Sequence, residues 1–268
     1  MKLDVLDLSK NKIGEIKMPL QFEEEFRPDL IRRAVLAVQS HKRQAYAASS
    51  DAGKRSSAKL SRRRRDYRGS YGFGISRVPR KIMTRRGTRM NWVGAFAPGT
   101  VGGRKAHPPK TEKIWWKKIN EKERLKAIRS AISSTILKDI VAERGHIIPN
   151  DYPFILDDKF ESISKTKDVI GIFKRLGFEN ELLRVEEKKV RAGKGKSRGR
   201  KYRSKKGPLI VVSKMGKLST AATNIPGIDV VDVKSLNAEL LAPGTKAGRL
   251  VLWTSAAINI LEKERLFR

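Results

Sequence analysis

Two segments of this chain concentrate positively charged side chains. The first basic stretch, Lys42–Lys110, contains 19 lysines and arginines against two acidic residues, and the second, Lys188–Lys206, contains 11 against none. These 88 residues carry +28 of the formal net charge of +32, so the other 180 residues are nearly neutral. Charge concentrated in this way indicates a polyanionic partner rather than general solubility.

In the first basic stretch, arginines are interspersed with glycines and aromatic residues. Arginine holds phosphate in a flat, permanently charged fork, and glycine lets the backbone approach a surface closely. Tyr67, Tyr71, Phe73 and Trp92 offer faces on which unpaired bases stack, as is typical of RNA recognition. Duplex DNA is normally met by a helix or ribbon in a groove, and the sequence predicts neither here. The residues predicted to bind RNA are Arg62, Arg63, Arg64, Arg65, Arg68, Arg77, Arg80, Arg85, Arg86, Arg89, Trp92, Arg104, Lys105, His107 and Lys110.

A permanently disordered basic segment is the alternative for this stretch, because its composition alone would allow disorder. Its apolar residues argue against that interpretation, since they would be wasted in a solvated tail. They are Ile75, Val78, Ile82, Met83, Trp92, Val93 and Phe96. We therefore expect the stretch to fold on its polyanion.

The second basic stretch contains Gly195-Lys196-Ser197, which is similar to the end of a nucleotide-binding P-loop. A P-loop needs a glycine five positions before Gly195, where this chain has Val190, and it needs a preceding strand and a following helix. The sequence predicts instead a surface loop laid along a phosphate backbone. Its predicted RNA-binding residues are Arg191, Lys194, Lys196, Arg198, Arg200, Lys201, Tyr202 and Arg203.

Catalytic and metal-binding residues are scarce. The chain has no cysteine, and its three histidines, His41, His107 and His146, lack ligand spacing. Asp157-Asp158 follows a predicted strand and could bind a divalent metal or cap the next helix. Because no nucleophile, base and orienting group can be assembled, the sequence predicts a protein that is not an enzyme and has no metal or cofactor.

The N-terminal residues alternate apolar and polar and predict a strand rather than a signal peptide. No apolar run approaches the ~20 residues of a membrane span. The basic stretches also lack an apolar helical face for a membrane surface. We therefore expect a cytoplasmic protein, or a nuclear one if the cell has a nucleus, with no membrane partner, and no homo-oligomer is expected.

The elements predicted before residue 150 are a hairpin and two helices. Residues 2–8 and 12–18 have the pattern of the hairpin, and a helix is predicted from Pro28 to about Gln44. No period persists from 45 to 111. The second helix begins at Asn120, with Glu123 completing a capping-box pattern, and ends at Gly145. Its apolar stripe is Leu125, Ile128, Ile132, Ile136 and Ile140.

After residue 150, short apolar runs alternate with helical patterns. Strands are predicted at 153–156, 209–212, 229–233 and 250–253, and helices at 167–176, 179–189, 235–241 and 255–266, with Thr254 capping the last. This alternation is typical of an α/β fold whose central sheet is largely parallel, with helices on both faces.

Several segments closely resemble the L-four family of large-subunit ribosomal proteins in its archaeal and eukaryotic form. The resemblance covers essentially the whole chain. The matching segments are 102–110, 142–146, 191–203, 224–230, 240–245 and 248–250.

The resemblance implies a three-layer α/β/α domain formed by residues 1–268, with residues 45–111 as an inserted loop that penetrates RNA and residues 188–207 as a second RNA-binding loop. It implies a structural, non-enzymatic constituent that supports subunit assembly. The implied partners are large-subunit ribosomal RNA, neighbouring large-subunit proteins and the nascent peptide. The loop tip, roughly Tyr71–Trp92, would help line the peptide exit tunnel. The tip residues that match are Tyr71, Gly72, Phe73, Gly74, Arg77, Arg80, Arg85, Arg86 and Arg89.

Two other classes of protein remain as alternatives. One is an RNA-modifying enzyme on a nucleotide-binding α/β domain, which would bind a cofactor such as a methyl donor. The other is a DNA-compacting protein, which would prefer duplex DNA to structured RNA at matched salt.

Overall fold

A computed structural model describes residues 1–53, 58, 60–66, 69–87 and 89–268. It divides into two units: the α/β unit, Met1–Lys42 with Trp116–Arg268, and the extension, Arg43–Trp115. Within the described ranges, none of the helices has the length and apolarity needed to cross a bilayer. The same residues contain no group of three or more side chains suited to hold a metal ion.

The α/β unit is built on a six-stranded sheet. In chain order the strands of the protein are β1 (Lys2–Leu6), β2 (Lys12–Lys17), β3 (Arg80–Arg86), β4 (Arg89–Gly94), β5 (Ile155–Leu156), β6 (Lys189–Val190), β7 (Tyr202–Arg203), β8 (Leu209–Val212), β9 (Asp229–Asp232) and β10 (Val251–Thr254). The sheet has the order β2-β1-β5-β10-β8-β9, and only the β1–β2 pair is antiparallel. The predicted N-terminal hairpin and the four later strands are thus confirmed, within a residue or two at their ends.

Helices cover both faces of this sheet. They are α1 (Pro28–His41), α2 (Glu121–Ser134), α3 (Lys138–Glu143), α4 (Thr166–Arg175), α5 (Glu179–Glu186), α6 (Lys217–Thr223), α7 (Ala238–Leu241) and α8 (Ser255–Lys263). Residues of α1, α2, α7 and α8 contribute to one apolar cluster, and residues of α3, α4, α5 and α6 to a second. The predicted three-layer α/β/α architecture is confirmed.

The central strands β8 and β10 are covered on both faces of the sheet. All four residues of β8 and of β10 are buried. Leu209 and Val211 belong to one apolar cluster, whereas Ile210 and Val212 belong to the other, as the alternation of side chains along a strand requires. A continuous β-branched run is therefore the sequence signature of a strand covered on both sides.

The prediction of one helix from Asn120 to Gly145 is wrong, because the structure has two helices in this range. The chain leaves α2 at Thr135 and starts α3 at Lys138. Ser133, Ser134 and Thr135 each donate their hydroxyl to a carbonyl three residues earlier, a bond that competes with helix continuation. The Asn120 side chain makes no capping bond, so the capping box does not form. Gly145 has a φ of +96°, the left-handed conformation predicted for it.

Three regular elements were missed by the sequence analysis. One is the β6–β7 hairpin, where the sequence predicted a helix as far as residue 189 and then a surface loop, whereas α5 ends at Glu186 and Lys189 lies in β6. Helix α6 follows Gly216 without a side-chain cap, and its short KLSTAAT sequence carries little periodic signal. The hairpin of β3 and β4 lies in the extension, where no pattern was predicted. Both of its faces carry charged residues, so the apolar alternation that marks a half-buried strand is lacking.

Candidate nucleic-acid interface

The extension presents its arginines on a hairpin that ends in a tight turn. Arg86 pairs with Arg89 at the turn, and Ile82 pairs with Trp92 further down the ladder. Gly87 in the turn has a φ of +58°, a left-handed conformation that suits glycine. The antiparallel ladder therefore brings Arg85, Arg86 and Arg89 together at the turn end of the hairpin. Three exposed guanidinium groups at the end of a ribbon form a compact positive surface.

Arginines of the extension also contact its aromatic rings. The Arg80 guanidinium lies 5.4 Å from the centre of the Trp92 ring and donates to Ser70 Oγ at 3.3 Å. Arg77 lies 5.4 Å from the Tyr71 ring and donates to its hydroxyl at 3.2 Å. These contacts hold flat cations against flat aromatic faces, an arrangement that can accept a stacked base.

The extension buries few apolar side chains of its own. Ala95 and Ala97 are the buried apolar residues among those described between Arg43 and Trp115. The apolar residues that stay exposed include Phe73, Met83, Val93, Phe96, Val101 and Ile114. The extension therefore keeps these apolar side chains at its surface rather than in a core of its own.

Other predicted residues of the first basic stretch lie at the surface. Arg62, Arg63, Arg64 and Arg65 are exposed in an irregular segment. Lys105, His107 and Lys110 are exposed in a later loop, and Arg104 in the same loop is half-buried. Among the predicted residues, Arg68 lies outside the described part of the chain, as does Tyr67. The structure does not bring all these residues to one point; it distributes them along the extension.

A second aromatic site in the extension was missed by the sequence analysis. Tyr46 stacks on Trp115 with ring centres 5.0 Å apart, and the Arg43 guanidinium lies 4.0 Å from the Trp115 ring centre. Both rings line a cavity of about 670 Å³ with Lys105, His107, Lys110 and Lys113 among its other walls. The available signal was a tryptophan just after the Pro-Pro loop, because an aromatic residue next to lysines is typical of base stacking.

The second basic stretch folds as a small hairpin of β6 and β7 with an irregular tip. Arg191 N donates to Lys201 O at 2.8 Å and its side-chain Nε to Arg200 O at 3.1 Å, which continues the pairing beyond β6. The predicted residues Lys194, Lys196, Arg198, Arg200, Lys201, Tyr202 and Arg203 are all exposed. Gly195-Lys196-Ser197 leads into a single 3-10 turn rather than an α-helix, so the geometry of a P-loop is not formed.

Buried Arg249 attaches the second basic stretch to the domain. Its Nε donates to Gly207 O at 2.9 Å, and one terminal nitrogen forms an ion pair of 2.5 Å with Asp229. Burial lowers the pKa of Arg249, opposed by its attraction to Asp229. For Asp229, burial acts to raise the pKa, but Arg249 and Lys206 outweigh it and the pKa falls below its usual value. The Asp229 carboxylate that faces the Arg249 guanidinium is therefore ionised at neutral pH.

A second buried network is centred on Glu181. Glu181 is fully buried on α5 and accepts hydrogen bonds from Ile147 N at 2.9 Å and Arg184 Nε at 2.7 Å. It also lies 2.6 Å from His146 Nδ1. Burial lowers the pKa of His146 below its usual value. Burial would raise the pKa of Glu181, but the hydrogen bonds from Arg184, His146 and Ile147 lower it overall, so a carboxylate faces a neutral imidazole at pH 7.

The acidic pair Asp157-Asp158 has a capping role in the structure. Asp157 Oδ1 accepts from Asp158 N at 2.8 Å at the start of a 3-10 turn. Asp158 Oδ1 accepts from Ser255 Oγ at 2.5 Å and Ala256 N at 2.6 Å, at the first turn of α8. Asp157 thus caps the element that follows it, as the capping alternative predicted, whereas Asp158 accepts from the first turn of α8, a helix distant in the sequence.

The chain is similar to known proteins over nearly its whole length. The model of the ribosomal protein L4/L1 family matches residues 16–264. Proteins named large ribosomal subunit protein uL4 are similar over nearly their whole length. The one from Nanoarchaeum equitans is 50% identical over 268 residues, 100% of each chain. That of Methanococcoides burtonii is 46% identical over 97% of each chain, and that of Methanocaldococcus jannaschii is 43% identical over 99% of each chain.

The family match and the near-complete relatives agree with the α/β/α architecture. No catalytic assignment is needed for the buried histidine and carboxylate, since both are used in structural hydrogen bonds. The chain therefore belongs to the ribosomal protein L4/L1 family, whose members are structural, non-enzymatic components of the ribosome.

Proposed function

We propose that this protein binds large-subunit ribosomal RNA through its two basic stretches and supports assembly of the large subunit in the cytoplasm. The observation that carries the proposal is the placement of charge on exposed hairpins and loops outside the apolar core of the α/β unit. Cations placed in this way neutralise phosphates and release counterions, a large part of the driving force for binding nucleic acid.

RNA fits the extension better than duplex DNA does. Arg80 with Trp92, and Arg77 with Tyr71, combine a cation and an aromatic face, the combination that grips unpaired bases. The exposed apolar side chains of the extension would be covered when the RNA folds around it. The free energy of ordering the segment would then be offset by those contacts and by counterion release.

The tip of the extension, Tyr71–Trp92, is proposed to help line the nascent-peptide exit tunnel. Support comes from the family resemblance and from the β3–β4 hairpin. Its turn lies at the opposite end of the ladder from Arg80 and Gly94, where the hairpin begins and ends. The arginines at its turn would then contact the passing peptide. Neighbouring large-subunit proteins are the remaining partners that we propose.

Sedimentation of the protein from cell lysate tests the main proposal. We expect it to comigrate with the large ribosomal subunit and to survive a high-salt wash that removes loosely bound proteins. Binding of the purified chain to large-subunit RNA should weaken with log salt at a slope near −9 if about ten phosphates are contacted. Sedimentation as a free protein, or a preference for duplex DNA at matched salt, would contradict the proposal.

Deletion of Tyr71–Trp92 tests the proposed tip separately. We expect subunits to assemble with the shortened protein, because many cations outside the deletion remain. Photo-crosslinks from a stalled nascent peptide to this protein should disappear. A loss of all assembly would mean that the tip itself anchors the protein, and unchanged crosslinks would mean that the tip does not reach the tunnel.

A further inference from the structure

A basic pocket lies in the α/β unit beside the second basic stretch. Its volume is about 650 Å³, within the range of about 300–1,000 Å³ typical of ligand pockets. Seven cationic residues line it, and no acidic residue does: Arg144, Arg184, Lys189, Arg203, Lys205, Lys206 and Lys246. They come from five separate places in the sequence, which is why the sequence analysis identified only Arg203.

The carboxylates near the pocket neutralise only part of this charge. Arg184 pairs with Glu181 at 2.7 Å, Lys205 with Glu187 at 2.5 Å and Lys206 with Asp229 at 3.0 Å. The other four cations, Arg144, Lys189, Arg203 and Lys246, form no ion pair within the described residues.

The pairing of β6 with β7 places two of these four cations directly opposite each other. Lys189 on β6 is the direct cross-strand partner of Arg203 on β7, so their side chains share one face of the hairpin. Like charges placed directly opposite are destabilising in an antiparallel pair. An anion bound between them would remove that repulsion.

Arg144 adds a third cation that solvent reaches only in part. Its guanidinium donates to Pro243 O at 2.7 Å and to the carbonyl of Lys246, which fixes its position at the pocket wall. Burial, with repulsion from Arg249 and Arg184, lowers the pKa of Arg144 to about 10. Holding these positive charges close together therefore costs free energy, and a bound anion would reduce that cost.

We propose that this pocket binds a cluster of phosphates: a tight turn of RNA backbone in which two or more phosphates converge, or a free oligophosphate of the same chemistry. The fixed Arg144, the opposed Lys189 and Arg203, and Lys246 surround a volume large enough for more than one phosphate. If the phosphates belong to RNA, the proposal rests on the proposed function. Binding of a free oligophosphate does not depend on that function.

His146 supplies a reporter inside the pocket. It is buried, lines the pocket and is one of three histidines in the chain. The charged groups around it are Glu181 and Arg184 of α5, Arg144 after α3, Lys189 and Arg203 of the hairpin, Lys205 and Lys206 after it, and Lys246 of the following loop. An anion added to this set favours the imidazolium, so its binding should raise the pKa of His146.

The first arm of the test uses pyrophosphate, with orthophosphate for comparison. The full chain is labelled with ¹⁵N-histidine, and the exposed His41 and His107 are assigned by the variants H41Q and H107Q. We expect pyrophosphate to raise the pKa of His146 by about one unit, and orthophosphate to do so at tenfold or higher concentration. An unchanged His146 resonance at millimolar pyrophosphate would overturn the proposal.

The second arm compares two triple variants with equal loss of charge. K189Q/R203Q/K246Q removes exposed cations of the pocket, and K167Q/K217Q/K263Q removes exposed cations away from both basic stretches. The control should keep the wild-type melting temperature, and the pocket variant should equal or slightly exceed it, because it removes the repulsion between Lys189 and Arg203. The pocket variant should bind pyrophosphate at least tenfold more weakly, and the matched control should bind it as the wild type does. Equal affinities of the two variants would overturn the proposal.

The third arm distinguishes the source of the phosphates. If RNA fills the pocket, the pocket variant should lower the magnitude of the log–log salt slope for large-subunit RNA by about 2–3, since each lost phosphate contact removes about 0.7–0.9. If a free oligophosphate fills it, the slope should match that of the control while pyrophosphate binding is still lost. Failure of the wild type to prefer ribosomal RNA would refute the proposed function and leave the pyrophosphate result standing.

Discussion

Replacing Glu181 with glutamine should destabilise the α/β unit strongly. The carboxylate is fully buried, and its oxygens accept from the Ile147 amide at 2.9 Å and from two nitrogens of Arg184, each at 2.7 Å. Glutamine keeps the shape of the side chain but loses its charge, and its amide nitrogen would point a donor at other donors. Breaking a buried pair by removing one partner costs about 3–5 kcal/mol. Because glutamine retains one accepting oxygen, we expect about 3 kcal/mol.

The measurement is thermal unfolding at pH 7, followed by near-ultraviolet circular dichroism. For a unit of this size, 1 kcal/mol corresponds to about 2–4 °C, so E181Q should melt about 6–12 °C below the wild type. The matched control is E179Q on the same helix, because Glu179 forms an exposed ion pair of 3.1 Å with Lys174. Exposed pairs contribute about 0–1 kcal/mol. A melting temperature of E181Q within 2 °C of E179Q would refute the reasoning.

The pH dependence provides a second check on Glu181. Its pKa in the folded protein is lower than in the unfolded chain, so the unfolded chain binds more protons as the pH falls below about 4.3. The stabilisation from the carboxylate is therefore present above that pH and is lost as the pH falls through the folded pKa. Above about pH 4 the difference between wild type and E181Q also includes His146, because the carboxylate favours its imidazolium. The difference should narrow below about pH 4, as the carboxylate itself is protonated. A difference that is unchanged at pH 3 would contradict this assignment.

Two further predictions concern the backbone and a helix cap. Gly227 has a φ of +71°, and a Cβ there would lie 2.1 Å from Val185 Cγ1 and 2.8 Å from Lys205 O. G227A should therefore lower the free energy of unfolding, measured by urea titration, by at least about 2 kcal/mol. The matched G171A on α4 should raise it by about 0.5–1 kcal/mol, because nothing lies within 4 Å of the added methyl group; equal effects would contradict both statements. Thr254 accepts from Ala257 N at 3.3 Å and donates to Glu161 at 2.6 Å, so T254A should cost about 2 kcal/mol by the same measurement. T223A at the exposed end of α6 should change it by less than about 0.5 kcal/mol, and a T254A variant as stable as T223A would show that the cap is unimportant.

The core of the fold was predictable because its signals are local. Leu209–Val212 is a β-branched run, Gly177 and Gly145 end helices in left-handed conformations, and Thr254 caps α8 through its hydroxyl. Each of these positions is decided by a residue type within one turn or one strand. Helix α2 ended early because three consecutive hydroxyl side chains bond back to the helix, a competition that apolar periodicity does not report.

The candidate interface was predictable only where its residues are clustered in sequence. The runs 62–65 and 191–203 are visible as charge, and they are exposed in the structure as expected for binding residues. The basic pocket was not visible, because Arg144, Arg184 and Lys246 are separated by many residues and meet only through the fold. Tyr46 and Trp115 likewise lie nearly seventy residues apart and stack on each other.

The position of β10 in the sheet has a consequence for synthesis of the protein. β10 lies between β5 and β8, and it is translated after all the other strands. Until it inserts, the strands form two separate halves, β2-β1-β5 and β8-β9, with the apolar edges of β5 and β8 unpaired. Both basic stretches precede β10 in the chain, so they are synthesised before the sheet can close. A chain of this kind therefore depends on what shields it during that interval, since exposed strand edges are sites of aggregation.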